Sequence, residues 1–351
     1  MFAGGFGLAE VAAVCCGGDQ AAALDLVDLL AGKSLVVAEP AADGTRYRML
    51  ETIRQYAAGR LAQAGEAGQA RDRHAAAFLR LAEQQCELPV LLREQDNFRA
   101  ALDHALAAGD QAGPRLARAL GDFWLARGLF QEGRTWLQRA LATDPADPGL
   151  RAGLLRLLGA VLYAAGDLER AQATLAQGLQ VAAADPGLSS VQARIRVLLA
   201  EIRLVEDAGN AEALEECDAA AALLDSEHDL EGLAQVWLTV GKARFFAVDA
   251  LGAEEALERA GAYARQSGNH RAELESRTWL VGTFLELPIP ADVAVVRAEQ
   301  LLEAAAGDPW GEAAILRWLS PLYGYAGRFG DARAAYTRSR SEFTRAGAKL
   351  D

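Results

Sequence analysis

Cysteine is scarce in this chain of 351 residues: there are four, Cys15, Cys16, Cys86 and Cys217. None has the spacing of a metal-ligand pair, and the adjacent Cys15 and Cys16 are poorly placed for a structural disulfide, so all four are read as reduced thiols of a cytoplasmic protein. Histidine is equally rare. His74, His104, His228 and His270 stand apart from one another and from the cysteines, which points to surface or packing roles and to no metal or cofactor. Positive charge is in deficit: 35 basic against 48 acidic residues leave a net charge of -13, which excludes a broad phosphate-binding surface but leaves local basic patches open. No run of eighteen apolar residues is present, so no membrane-spanning helix is expected. The N-terminus lacks a basic leader and carries Glu10 within its apolar stretch, unlike a secretory signal. The Val-Ala-Ala-Val-Cys-Cys run at 11–16 lacks the positive charge of a lipoprotein leader and has Val before Cys.

What is present is a chain that is 52% apolar with a mean hydropathy of +0.04, as in a packed globular protein. Leu8, Val11 and Val14, then Leu24, Val27, Leu29 and Leu30 up to Gly32, recur at helical spacing. A β-branched run from Ser34 to Ala38, turn residues Pro40-Ala41-Ala42-Asp43-Gly44 and an alternating stretch from Thr45 to Leu50 predict a hairpin. The helix from Glu51 to Ala64 places Ile53, Tyr56, Ala57 and Leu61 on one face and Arg54 and Arg60 near the other. Two further helices are expected over 71–87 and 92–108. The domain organisation read from this is a winged-helix module at 1–68, a connecting helical segment at 69–110 and about six helical repeats over 111–351.

The repeats show as a large apolar residue followed by a small one at Leu120-Gly121, Leu158-Gly159, Leu199-Ala200, Val240-Gly241, Val281-Gly282 and Leu319-Ser320, in steps of 38, 41, 41, 41 and 38 residues. Twelve residues beyond each small position stand Gly133, Ala171, Glu212, Ala253, Ala294 and Ala332, where paired helices must approach closely. Gly128, Gly166 and Gly327 fall between paired helices. This pattern resembles the tetratricopeptide repeat with longer helices or loops, and it departs from it at Glu212, at Pro288 and Pro290, and at Arg203 and Arg244, where an aromatic is commoner. The fold class expected is therefore all-α, a tetratricopeptide-like α-solenoid preceded by a small winged-helix module with a β-hairpin.

Catalytic chemistry does not emerge. Gly32-Lys33-Ser34 has the tail of a phosphate-binding loop, but Val27 stands where that motif needs glycine and the strand follows rather than precedes it. Gly4-Gly5-Phe6-Gly7 also lacks the spacing and the preceding strand. Acidic pairs such as Glu215-Glu216 and Glu254-Glu255 read as solvated helix faces rather than an acid/base pair. A DNA-binding reading of the module would use Arg46, Arg48, Arg54 and Arg60, yet the helix that would enter a groove presents Asp25 and Asp28 with only Lys33 basic. Packing on protein is the expected role, with no direct nucleic-acid binding.

The stretches Phe2-Ala3-Gly4-Gly5-Phe6, Leu29-Leu30-Ala31-Gly32-Lys33-Ser34-Leu35-Val36, Arg46-Tyr47-Arg48-Met49-Leu50-Glu51-Thr52-Ile53-Arg54-Gln55-Tyr56 and Asp96-Asn97-Phe98-Arg99-Ala100-Ala101-Leu102 resemble the winged-helix and following region of STAND-class signalling ATPases, in particular the large actinobacterial transcriptional regulators. That resemblance covers residues 2 to about 140. It implies that the chain is the middle and sensor part of such a regulator, with an NB-ARC ATPase domain in cis or in trans that the winged helix holds closed until an inducer or partner binds the repeats. Enzymatic activity is not expected of this part.

In such repeats the first helix of each pair lines the concave face, which places Arg118, Asp122, Arg156, Tyr163, Arg194, Glu201, Lys242, Phe245, Trp279 and Thr283 near a groove for a protein or peptide partner, or for a small-molecule inducer. Inter-repeat packing is the competing reading for Phe245 and Trp279, and a solvated helix face for the arginines. A free-standing tetratricopeptide adaptor that scaffolds other proteins is the alternative to a regulator. The last helix, expected from Asp331 to Lys349, lacks a polar capping helix, so self-association through an end is expected.

Overall fold

The computed structural model describes residues 2–41, 44–84 and 88–345. The expected turn at Ala42-Asp43, Cys86 and the last residues of the final helix lie outside the described residues. The chain divides into two compact units, Met1–Val181 and Ala182–Asp351. Among the described residues it is all-α apart from one two-stranded sheet, with tetratricopeptide-like helix pairs following a small winged-helix module.

The first unit opens with α1 (Leu8–Cys15) and α2 (Gln20–Gly32), a hairpin of β1 (Val37–Ala41) and β2 (Gly44–Arg48), and α3 (Glu51–Gln63). Asp19 caps α2 by accepting hydrogen bonds from the backbone N–H groups of Ala21 and Ala22. The first strand starts later than the β-branched run suggests. Ser34 has a φ of 56°, and the N–H of Leu35 bonds back to the carbonyl of Leu30, so the end of α2 captures residues that would otherwise extend the strand. The hairpin pairs Val37 with Arg48 and Glu39 with Arg46. Phe6 and Tyr47 add a reciprocal backbone pair at 2.9 and 2.8 Å, which gives β2 a neighbour on its other edge. Phe6, Val11, Ala12, Ala23, Val27, Val36 and Tyr47 form the module's core.

A helical layer follows: α4 (Ala67–Glu83), α5 (Leu88–Arg93), α6 (Gln95–Ala108), α7 (Ala112–Ala119), α8 (Gly121–Ala126), α9 (Phe130–Ala142), α10 (Pro148–Ala164) and α11 (Leu168–Ala183). The expected helix over 92–108 is interrupted at Glu94, which is fully buried and caught in a polar knot. Asn97 accepts from the N–H groups of Ala3 and Gly4 at 2.9 and 3.3 Å and donates to the carbonyl of Gly5 and to Glu94 at 2.9 and 2.8 Å. Glu94 also accepts from Arg46 of β2 and from Arg93. The N-terminal segment, the hairpin and α6 are thus joined through one buried amide and one buried carboxylate. In contrast, α3 buries no residue, and Tyr56 on its apolar face is 70% exposed.

The second unit consists of α12 (Ser189–Glu206), α13 (Ala211–Ser226), α14 (Leu230–Phe246), α15 (Ala250–Ser267), α16 (His270–Thr283), α17 (Ala291–Glu303), α18 (Pro309–Tyr325) and α19 (Phe329–Arg345). Asn210, Asp229, Asp249, Asn269 and Asp308 cap α13, α14, α15, α16 and α18, each accepting a backbone N–H from the first turn. The small-residue register marks close helix approach. A Cβ on Gly241 would lie 2.6 Å from Leu257 of the paired helix, and in the first unit one on Gly159 would lie 2.5 Å from Leu175. Ala171, Ala253 and Ala294 are buried as the register requires. Glu212 is exposed because Ala213, one residue later, occupies the buried position. Pro288 and Pro290 fall in the connection between α16 and α17, where they interrupt no helix. Arg203 and Arg244 tie first helices to their partners, Arg203 through Glu216 and Arg244 through the carbonyl of Gly252.

Candidate functional site on the first helices

Of the ten groove residues read from the sequence, eight lie on the first helix of a pair, and Arg118 and Asp122 lie on two short consecutive helices. In the first unit Arg118 is on α7, Asp122 on α8, and Arg156 and Tyr163 on α10. Arg118 and Asp122 are exposed, Arg156 and Tyr163 half-buried, and the stem of Arg118 lies against Gly153, where a Cβ would come within 3.2 Å.

In the second unit α12 packs on α14, α14 on α16 and α16 on α18, which brings Glu201, Lys242, Phe245 and Trp279 into one continuous surface. Lys242 Nζ bonds Glu201 at 2.6 Å and Glu275 at 3.2 Å, crossing three helices. Glu201 is nearly buried and also accepts from Gln235 at 3.2 Å and Thr239 at 3.5 Å. Desolvation would raise the pKa of Glu275, but the cations of Lys242 and Arg271, with a hydrogen bond from Trp279, outweigh it and hold the carboxyl below its usual value. Arg194 donates to Asp229 at 2.6 Å and pairs with Glu231. Burial alone would raise Asp229, yet the bonds from Arg194, Ser190 and the N–H of Gly232 bring it to about 2. Arg194 therefore fixes the cap of α14. Thr283 is fully buried and donates its hydroxyl to the carbonyl of Trp279 at 3.0 Å, which supports the wall from behind.

Beyond this charged row lies an aromatic cluster. Phe245 contacts Phe246, Trp279 and Trp318 with ring centroids at 5.4, 5.3 and 5.9 Å, and Phe246 contacts Trp279 at 5.5 Å. Edge-to-face packing accounts for the inner rings, but Phe246 is 61% exposed, and Val248 and Leu251 beside it are more so. Val248 also holds a φ of 60°, in the turn position occupied elsewhere by Gly128, Gly166 and Gly327. Sequence reasoning missed Glu275, Phe246 and Trp318. Glu275 lies one helical turn before Trp279, and Trp318 lies within two residues of the small-residue step at Leu319-Ser320, so the repeat register held the signal for both.

The module's arginines are engaged with local partners. Arg46 binds Glu94, Arg48 pairs with Glu39, Arg54 with Glu51, and Arg60 donates to Gln63. Among the cysteines, Cys15, Cys16 and Cys217 are free thiols, and burial followed by the nearby Glu201 charge pushes Cys217 up to about 12. Among the described residues no helix is long and apolar enough to cross a membrane.

A tetratricopeptide-repeat family model matches residues 125–195. Over 152 residues the chain is 37% identical to proteins of Mycobacterium tuberculosis (strain ATCC 25618 / H37Rv) and Mycobacterium bovis (strain ATCC BAA-935 / AF2122/97) that are named as HTH-type transcriptional regulators. The similarity takes in 40% of this chain and 17% of those proteins, so the chain spans a small part of the curated relatives it matches. Among solved structures, aspartyl phosphate phosphatase F from Bacillus subtilis superposes with a TM-score of 0.57 over 95% of this chain and 83% of that one. At 12% identity that likeness shows a common fold. Tetratricopeptide repeats carry a protein-interaction role.

Proposed function

We propose that this chain is the sensor and protein-interaction portion of a STAND-type transcriptional regulator, without catalysis of its own, and that its repeats bind a protein or peptide segment. The observation that carries the reading is the second unit's first-helix surface, where the half-open aromatic cluster of Phe245, Phe246, Trp279 and Trp318 sits beside the ionised Glu275. An apolar side chain inserted against exposed Phe246 would displace water from ring surface that nothing in its own unit covers, while Glu275 selects a donor on the same segment. Identity with relatives named as regulators supports a regulatory setting over a free-standing scaffold. In that setting a partner shifts the regulator only by the difference in its affinity for the two states. Arg118, Asp122, Arg156 and Tyr163 form the corresponding candidate surface of the first unit, and an NB-ARC ATPase domain is the proposed recipient of the signal.

A random peptide library selected on the purified chain tests the binding site. Enriched peptides should share an aromatic or aliphatic anchor and lose at least tenfold in affinity to Phe246→Ala combined with Trp279→Ala, with helicity retained. Peptides that bind the double variant as tightly as the parent place recognition elsewhere.

A further inference from the structure

The first unit contains a cleft of about 480 Å³, within the ~300–1,000 Å³ usual for small-molecule sites. Three helices line it with residues at helical spacing: Arg54 and Ala58 of α3, Arg71 and His74 of α4, and Ala100, Asp103, His104 and Ala107 of α6, with Ala3 closing one side. Its wall is therefore made of small apolar residues interrupted by cations and imidazoles.

The charges are unevenly matched. Asp103 accepts from Arg139 at 2.9 Å, Asp72 meets His104 at 2.7 Å, and Glu51 binds Arg54 at 2.7 Å. Arg71 is exposed and has no carboxylate partner among the described residues. The second observation is independent. His74 is 3% exposed, wedged against Phe2 and Phe78 at 5.5 and 4.5 Å, and its Nε2 lacks any hydrogen-bond partner. It is the one buried side-chain nitrogen or oxygen among the described residues left in that condition. A buried polar atom without a partner costs about 1–3 kcal/mol, and the ring that carries this one lines the cleft. Finally, α3 buries none of its residues, yet it supplies two of the wall residues.

We propose that this cleft binds a small organic oxyanion, a carboxylate or phosphate monoester with a compact apolar body. Arg71 supplies the unmatched positive charge, His74 Nε2–H donates a hydrogen bond to a ligand oxygen after a small turn of the ring, and the four alanines cover the apolar part. Occupancy draws α3 onto α4 and α6, so the ligand acts as a clamp between the winged-helix module and the helices that follow it. This input shares no residue with the aromatic surface and does not rest on the reading proposed for it.

The chain has four histidines, of which His74 and His104 line the cleft and His228 and His270 do not. Ring-labelled histidine in the intact chain therefore provides two reporters and two internal controls. Titration with benzoate and, separately, with phenyl phosphate should shift the His74 and His104 resonances saturably while those of His228 and His270 hold still. Whichever probe saturates at lower concentration assigns the oxyanion as carboxylate or phosphate. Arg71→Ala, a surface change that preserves helicity, should weaken saturation at least tenfold, and amide exchange over 51–63 should slow at least tenfold in the saturated parent. Failure of both probes to saturate, equal movement of all four histidines, or unchanged affinity in Arg71→Ala overturns the site. Saturation without slower exchange over 51–63 overturns the clamp.

Discussion

The two units solve the same problem, satisfying polar groups inside a helical stack, by opposite means. In the second, Lys242 and its two glutamates join helices that follow one another in the repeat, at separations of 41 and 33 residues. In the first, Asn97 reaches back 94 residues to the N-terminal segment, which lies outside the repeats. A periodic device is redundant because each repeat leans on its neighbours, whereas the knot at Asn97 is singular and its loss is not shared.

The largest expected effect tests that contrast directly. Asn97→Ala removes four hydrogen bonds and leaves two N–H groups and part of a buried carboxylate unmatched, so urea unfolding should show a loss of about 4 kcal/mol. Amide exchange should place that loss in the first unit alone. Lys242→Met should cost about 3 kcal/mol, because Glu201 stays buried with only Gln235 and Thr239 as donors. Adding Glu201→Gln should restore part of it, and a double variant no better than the single would show that charge is not the cause.

Much of this contrast follows from what the sequence could show. The repeats were legible because Gly159, Gly241 and their equivalents recur where helices meet, and recurrence survives departures such as Glu212. The hairpin and its helices were legible from turn residues and periodicity. The ring positions of Phe245 and Trp279 followed from the register, although whether they packed or faced a partner did not. The knot was not legible as a contact, since Asn97, Glu94 and Arg46 are ordinary polar residues whose meeting depends on long-range docking. The cleft was hidden for the same reason: Arg71 and His74 look like any i, i+3 pair on a solvated helix.

Acid should separate the units by pH window. Burial lowers the pKa of His74 from 6.5 to about 4. Between those values the unfolded chain binds a proton that the folded chain refuses, so the first unit should lose up to about 3 kcal/mol as pH falls from 6.5 to 4, with no further loss below. Asp229 is depressed from 3.8 to about 2, so its contribution to the second unit, about 2 kcal/mol, is complete above 3.8 and lost as pH falls toward 2. Local exchange rates followed from pH 7 to 3 should show the first unit loosening before the second; simultaneous loosening would remove His74 as the cause.

The smallest effect has the opposite sign. Val248 is β-branched and left-handed at the turn position where Gly128, Gly166 and Gly327 stand elsewhere, so Val248→Gly should stabilise the second unit by about 1 kcal/mol. A loss of stability would mean that its exposed side chain is held by contacts that offset the strain.

The bond from Asn97 to Ala3 also sets an order of events during synthesis. The segment at residues 2–7 leaves the ribosome well before its anchor, which is made 94 residues after Ala3. At ~5–20 residues per second that interval is on the order of ten seconds. Throughout it, the backbone groups of Ala3, Gly4 and Gly5 have no Asn97 to bond. Residues 2–7 are thus translated long before they are secured.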